Sequence, residues 1–150
     1  MYRHVLLAYD GSPPARAALT EALRLLKGQP TMLSLAYVMS DLPFDVELSA
    51  GSVLDASRQA QRTAAERLLH HARDQATLAE VDAQPVVLES AGRRVAEVLV
   101  EHARRLHAGL VIVGSHGRHG VSRALLGSDA ELVARLSPIP VLIVKANEAG

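Results

Sequence analysis

The segment Leu110-Val111-Ile112-Val113-Gly114-Ser115-His116-Gly117, followed nine residues later by Gly127-Ser128, decides how the rest of the chain is read. Four apolar residues without polar alternation, three of them β-branched, describe a strand covered on both faces, which is the habit of a parallel sheet. The strand runs straight into glycine. Glycines at a strand end let backbone N–H groups turn inward as an anion nest, and a helix over residues 129 to 136 adds the partial positive charge of its free N–H groups. Strand, glycine loop and helix in that order suit a phosphate.

Working outward, every flanking segment has the same rhythm. Residues 3 to 9 form a first apolar run that stops at Asp10-Gly11-Ser12-Pro13-Pro14, a strand entering a turn with prolines at a helix start. Ala15, Ala18, Leu19, Ala22, Leu23 and Leu26 recur at helical spacing, and Lys27-Gly28 supplies a cation and a glycine cap at the end. Residues 31 to 38 read as the second strand, followed by a looser stretch to residue 52 expected to act as a flap. Val53, Ser57, Ala60, Ala64, Leu68 and Ala72 mark the apolar face of a long helix reaching residue 78. A third strand over 85 to 89, a third helix striped by Val95, Val98, Leu99, His102, Ala103 and Leu106, and a fifth strand over 139 to 144 complete the alternation. The expected class is α/β: one domain over residues 1 to 150, an open five-stranded parallel sheet with helices on both faces.

Composition narrows the function. The 49% hydrophobic content is enough for a core without disulfides, and the absence of cysteine removes thiol catalysis and cysteine-based metal sites. Sixteen basic residues balance sixteen acidic ones, so no global positive field draws nucleic acid, and four aromatic residues leave few surfaces for stacking bases. The opening Met1-Tyr2-Arg3-His4 leads into an apolar run too short for a signal peptide, and no run reaches the length of a membrane span. A cytoplasmic location, with neither nucleic acid nor membrane as partner, is the expectation.

The Gly-x-x-Gly-x9-Gly-Ser pattern of residues 114 to 128 resembles the ATP-binding signature of the universal stress protein family. Val5-Leu6-Leu7-Ala8-Tyr9-Asp10-Gly11-Ser12 is similar to that family's first strand and Asp-Gly-Ser turn, and Ser137-Pro138-Ile139-Pro140-Val141-Leu142-Ile143-Val144 to its last strand. Residues 39 to 84 agree only in layout. The resemblance implies a Rossmann-like sheet of order 3-2-1-4-5, with the ligand at the switch point between strands one and four. It further implies an ATP-binding stress-response protein, ATP entering with Mg2+ as a regulatory ligand. Ala8 and Asp10 would lie near the adenosine and the Val38 backbone at the adenine edge. Val113, Gly114, His116 and Gly117 would line the ribose and phosphate side, and Gly127, Ser128 and Asp129 would meet the phosphate tail. Asp129 departs from the family pattern, where that position is small, apolar or hydroxylated. A carboxylate there repels a triphosphate unless a divalent cation bridges the two. Valine at Gly114 or Gly117 is expected to abolish binding with the fold nearly intact.

Plainer readings stand beside these. Ser128-x-x-Glu131 fits a capping box and Asp10 a turn-stabilising carboxylate. His116 and His119 have metal-like spacing but no third ligand, and Arg118 and Arg123 are either phosphate contacts or solvated loop charges. The alternative function is a slow Mg2+-dependent ATP hydrolase or nucleotidyl transferase on the same scaffold, for which no nucleophile or base is identifiable. A receiver domain is disfavoured because strand three ends Leu88-Glu89-Ser90, and a P-loop because no Gly-x4-Gly-Lys-Ser/Thr occurs. In the order 3-2-1-4-5 the last strand is an unprotected apolar edge, from which a homodimer through residues 139 to 145 is expected.

Overall fold

The computed structural model describes residues 1–41, 51–116 and 126–146. In chain order these form β1 (His4–Ala8), α1 (Pro13–Leu26), β2 (Met32–Met39), α2 (Gly51–Leu78), β3 (Ala83–Glu89), α3 (Val95–Arg105), β4 (Leu110–Gly114), α4 (Ser128–Leu136) and β5 (Val141–Val144). The strands make one sheet of order β3-β2-β1-β4-β5, with all four pairings parallel. The chain therefore reverses its direction across the sheet between β1 and β4. The proposed flap falls largely on residues 42–50, outside the described residues.

The two faces of the sheet bury separate cores. Val5, Leu7, Leu33, Leu35 and Ile112 point toward α1 and α2, whereas Leu6, Ala36, Val111 and Val113 point toward α3 and α4. Alternate residues of the same strands serve opposite faces, so β1 and β4 must be apolar throughout, which is why their sequences show no alternation. α1 starts with Pro13 and Pro14 in its first turn, and the Ser12 hydroxyl accepts from the Ala15 N–H at 3.3 Å. At the other end Gly28 adopts φ +73°, the left-handed cap expected from Lys27-Gly28.

Three expectations shift. The apolar stripe of α2 runs through Ala65, Leu69, Ala72 and Ala76, while Val53 is 50% exposed and Ala60 and Ala64 are exposed as well. A helix of 28 residues is about 42 Å long, against about 26 Å for the eight-residue β2, so its first half extends past the sheet. β3 starts at Ala83, two residues before the expected Pro85, because Leu33 registers with Ala83 and a proline is tolerated on an edge strand. β5 starts at Val141 and not at Ile139, since the Ser137 hydroxyl bonds both the carbonyl (2.7 Å) and the N–H (3.1 Å) of Ile139 and holds it in a turn.

The carboxyl end of β4 and the start of α1 meet backbone to backbone. A Cβ on Gly114 would stand 2.7 Å from the carbonyl carbon of Pro14 and 2.9 Å from the nitrogen of Ala15. The expectation that valine at Gly114 leaves the fold nearly intact is corrected by this contact: the side chain would push α1 off the sheet. Gly114→Ala should lower stability by about 2 kcal/mol, and Gly114→Val by more, in urea unfolding. Wild-type midpoints in both variants would contradict the contact.

At the opposite end of the sheet, burial pushes the imidazole of His102 in α3 below its ordinary pKa, with the charges of Arg105 and His4 acting in the same direction. His4 Nε2 lies 3.2 Å from the hydroxyl of Ser34. A histidine whose folded-state pKa is depressed is protonated more readily in the unfolded chain, so the stability it contributes is complete above the unfolded value and declines as pH falls toward the folded one. Melting temperature should therefore drop between about pH 7 and about pH 5, and less steeply in His102→Gln. Parallel pH profiles for the two proteins would exclude His102 as the source.

Candidate functional site

The site is built where three adjacent strands end. Leu7 registers with Ile112, and Ala8 with Ala36. Val113 follows Ile112, so Ala8 and Val113 stand side by side at the ends of β1 and β4. Ala8, Val38 and Val113 all belong to the layer that faces α3 and α4, and they form one apolar floor across β2, β1 and β4.

Backbone geometry opens the crevice above this floor. The Tyr9 N–H donates to the Ala36 carbonyl at 2.8 Å, the last rung between β1 and β2 before the chain turns at Asp10. Backbone groups of a parallel strand point alternately to its two neighbours. Val38, two residues beyond Ala36, therefore turns its N–H and carbonyl toward the side that β1 has left, while Met39 accepts from Ser90 N on the β3 side at 2.9 Å. The Asp10 carboxylate accepts from the Ser12 N–H at 3.0 Å and shapes the turn. Gly11 sits at φ +78°, and a Cβ there would lie 2.8 Å from Cδ1 of Leu68, so α2 packs on the back of this turn. Burial raises the pKa of the Tyr9 phenol against the lowering effect of Arg16, with Asp10 adding to the rise, and the ring stays neutral behind the crevice.

Ser115 joins the other wall together. Its N–H donates to the Val144 carbonyl at 2.8 Å, extending the β4–β5 ladder, and its carbonyl accepts from the Gly127 N–H at 2.6 Å. A Cβ on Gly127 would meet that carbonyl oxygen at 2.7 Å and the His116 Cα at 3.0 Å. The two ends of the glycine loop are thus held in contact, and the first turn of α4 is held at the end of β4. The Ser115 hydroxyl lies 3.1 Å from His116 Nδ1, while His116 Nε2 is buried without a hydrogen-bond partner. A buried polar atom left this way is costly.

Gly127, not Ser128, is the N-cap of α4, and it makes no side-chain cap bond. The capping box expected of Ser128 and Glu131 is therefore corrected. Ser128 lies one residue inside the helix, and the Glu131 carboxylate turns one helical turn onward to Arg135 at 2.9 Å. Ser128 and Asp129 are both exposed in the first turn.

The structure thus gathers Ala8, Asp10, Val38, Val113, Gly114, His116, Gly127, Ser128 and Asp129 around the carboxyl end of β1 and β4. Gly117, together with Arg118, His119 and Arg123, lies outside the described residues. Ser115 and Pro14 were missed from sequence. Ser115 occupies one of the unspecified positions of Gly-x-x-Gly, and its role lies in its backbone, which no residue type announces.

A second pocket was also missed. It lies over the ends of β2 and β3, where Met39, Asp41, Arg58, Gln61, Glu89 and Ser90 contribute to its walls. Asp41 accepts there from the Ser90 hydroxyl at 3.1 Å and the Gly92 N–H at 3.2 Å, and Arg62 pairs with Glu89 at 3.3 Å. These polar groups largely satisfy one another. Among the described residues no group of three or more His, Cys, Asp or Glu is placed to hold a metal, and no helix is long and apolar enough to cross a membrane.

Comparison with known proteins agrees with this architecture. Residues 1–145 match the universal stress protein family. The chain is 31% identical to the universal stress protein YxiE of Bacillus subtilis over 151 residues, covering 97% of this chain and 100% of that protein. Among solved structures, a universal stress protein family member from Burkholderia pseudomallei is 31% identical with a TM-score of 0.73, covering 95% of this chain and 96% of the other. A universal stress protein in complex with cAMP is 25% identical with a TM-score of 0.69, covering 97% and 98%. By sequence along nearly its whole length and by the order of its sheet, the chain belongs to the universal stress protein family.

Proposed function

We propose that the chain binds an adenine nucleotide, ATP with Mg2+ in the leading case, in the crevice at the ends of β1, β2 and β4, and that the nucleotide acts as a regulatory ligand. The observation that carries this reading is the outward turn of the Val38 backbone over the floor of Ala8 and Val113, with the first turn of α4 held by Ser115 and Gly127 at the far side. An adenine base has a planar apolar face for such a floor and a donor–acceptor edge for a strand backbone. The N–H groups at the start of α4 supply the partial positive charge that a phosphate requires.

Residue roles are assigned within this reading. Ala8 and Val113 would support the base and Asp10 the ribose side, with Gly114 and His116 flanking it and Gly127, Ser128 and Asp129 facing the phosphates. Gly117 is included from the sequence pattern. The 25% identical relative in complex with cAMP supports the adenine class. Magnesium would be carried in on the phosphates, with Asp129 as a candidate protein ligand. Occupancy would change the surface offered to a partner.

One such partner is a second copy. β5 is a sheet edge in the strand order, and its four residues are apolar and half-buried on both faces. An edge of this kind leaves a row of backbone donors and acceptors unpaired and invites antiparallel pairing about a two-fold axis. We assign a homodimer through residues 139 to 145 to it.

Two measurements check the proposal. Isothermal titration should show ATP·Mg2+ binding at least about tenfold tighter than GTP·Mg2+, the discrimination expected when a backbone edge reads the base. Equal affinities would remove the adenine assignment. Sedimentation should show a dimer at tens of micromolar that Val141→Lys and Ile143→Lys weaken by placing like charges near the axis. A wild-type monomer, or a dimer indifferent to both substitutions, would put the edge pairing aside.

A further inference from the structure

We infer that Asp129 is a charge filter at the phosphate end of the crevice: it admits adenine nucleotides of low phosphate charge directly, and a triphosphate only together with a divalent cation. The inference rests on the nucleotide reading above and adds which members of that class the site accepts.

The argument begins with the first turn of α4. A helix start carries about half a positive charge in its free N–H groups, and Gly127 offers no side chain to cap them. This turn is tied to the end of β4, because the Gly127 N–H is held on the Ser115 carbonyl at 2.6 Å with no room for even a methyl group between them. Two carboxylates stand in the same turn, and their situations differ. Glu131 is engaged by Arg135 at 2.9 Å. Asp129 is exposed and has no hydrogen-bond or ion-pair partner among the described residues. Among the described residues nothing neutralises this full negative charge, which exceeds the partial positive charge of the helix at the point where a nucleotide's phosphates would arrive.

His116 sets the other side of the balance. Its Nδ1 is held by the Ser115 hydroxyl at 3.1 Å, and its buried Nε2 is unpartnered. That is provision for one ligand atom, such as a ribose hydroxyl or one phosphate oxygen. A cyclic monophosphate brings a single charge and meets little repulsion from Asp129. Free ATP would bring about four, and in the proposed placement its outer phosphates would lie toward α4, where like charges repel. A Mg2+ ion on those phosphates reverses the effect, because it turns Asp129 from a repelling charge into an oxygen facing a cation.

The test is a set of titrations of the full chain with cAMP, AMP and ATP, each in EDTA and in excess MgCl2, for the wild type, Asp129→Asn and Asp129→Ser. In EDTA the wild type should bind cAMP at least about tenfold tighter than ATP, the scale of one unscreened charge contact. Magnesium should close most of that gap for ATP and leave cAMP unmoved. Both substitutions should shrink the cAMP-to-ATP preference in EDTA by about tenfold and abolish most of the magnesium effect. The filter is overturned if free ATP binds the wild type as tightly as cAMP, or if the substitutions leave the preference where it was. Failure of all three nucleotides to bind under both conditions would overturn the nucleotide reading itself, a result distinct from binding without charge selection.

Discussion

Two backbone-to-backbone contacts at the end of β4 determine the shape of everything around them. On one side Gly114 admits the first turn of α1 so closely that a Cβ would be 2.7 Å from a Pro14 atom, and on the other Gly127 rests on the Ser115 carbonyl. Both contacts lie at the point where the chain reverses direction across the sheet. Because β1 leaves toward α1 and β4 leaves toward α4, the two connections diverge and a crevice opens between them. The glycines permit this approach, and the parallel register of Leu7 with Ile112 delivers both strand ends to the same level. A single residue, Ser115, then joins β5, α4 and the His116 imidazole through its three polar groups.

Much of the fold is legible in the sequence because it follows from local covering. β1 and β4 are covered on both faces and read as unbroken apolar runs, and α1 is bounded by Ser12, two prolines and Gly28, each with a local reason to be there. The expected α2 stripe holds at Leu68 and Ala72 and fails toward the start of the helix, because alanine suits either side of a helix and its type does not say which alanines are covered. Ala60 and Ala64 are exposed, whereas Ala65, Ala72 and Ala76 face the core. Strand order is not written in periodicity at all. It came from the resemblance of three short segments to a known family, and the observed order β3-β2-β1-β4-β5 agrees with it.

The site was legible to the extent that it lies at strand ends. Ala8, Val38 and Val113 could be named because each is the last or nearly the last residue of an apolar run, and strands ending together share a rim. Ser115, Pro14 and the back-packing of Leu68 on Gly11 could not, since each depends on segments far apart in sequence approaching within van der Waals distance. The capping box failed for a smaller reason: the helix begins one residue earlier than its hydrophobic pattern does, which places Ser128 inside it.

The central claim is that the crevice between β1, β2 and β4, and not the pocket over β2 and β3, holds the nucleotide. The most direct measurement is an amide 1H–15N correlation map recorded while AMP is added to the isotopically labelled protein. The account predicts shifts concentrated at Ala8 to Ser12, Val38, Val113 to His116 and Gly127 to Asp129, with Arg58, Gln61 and Glu89 unmoved. Shifts centred on Met39, Arg58, Glu89 and Ser90, with the ends of β1 and β4 undisturbed, would contradict it.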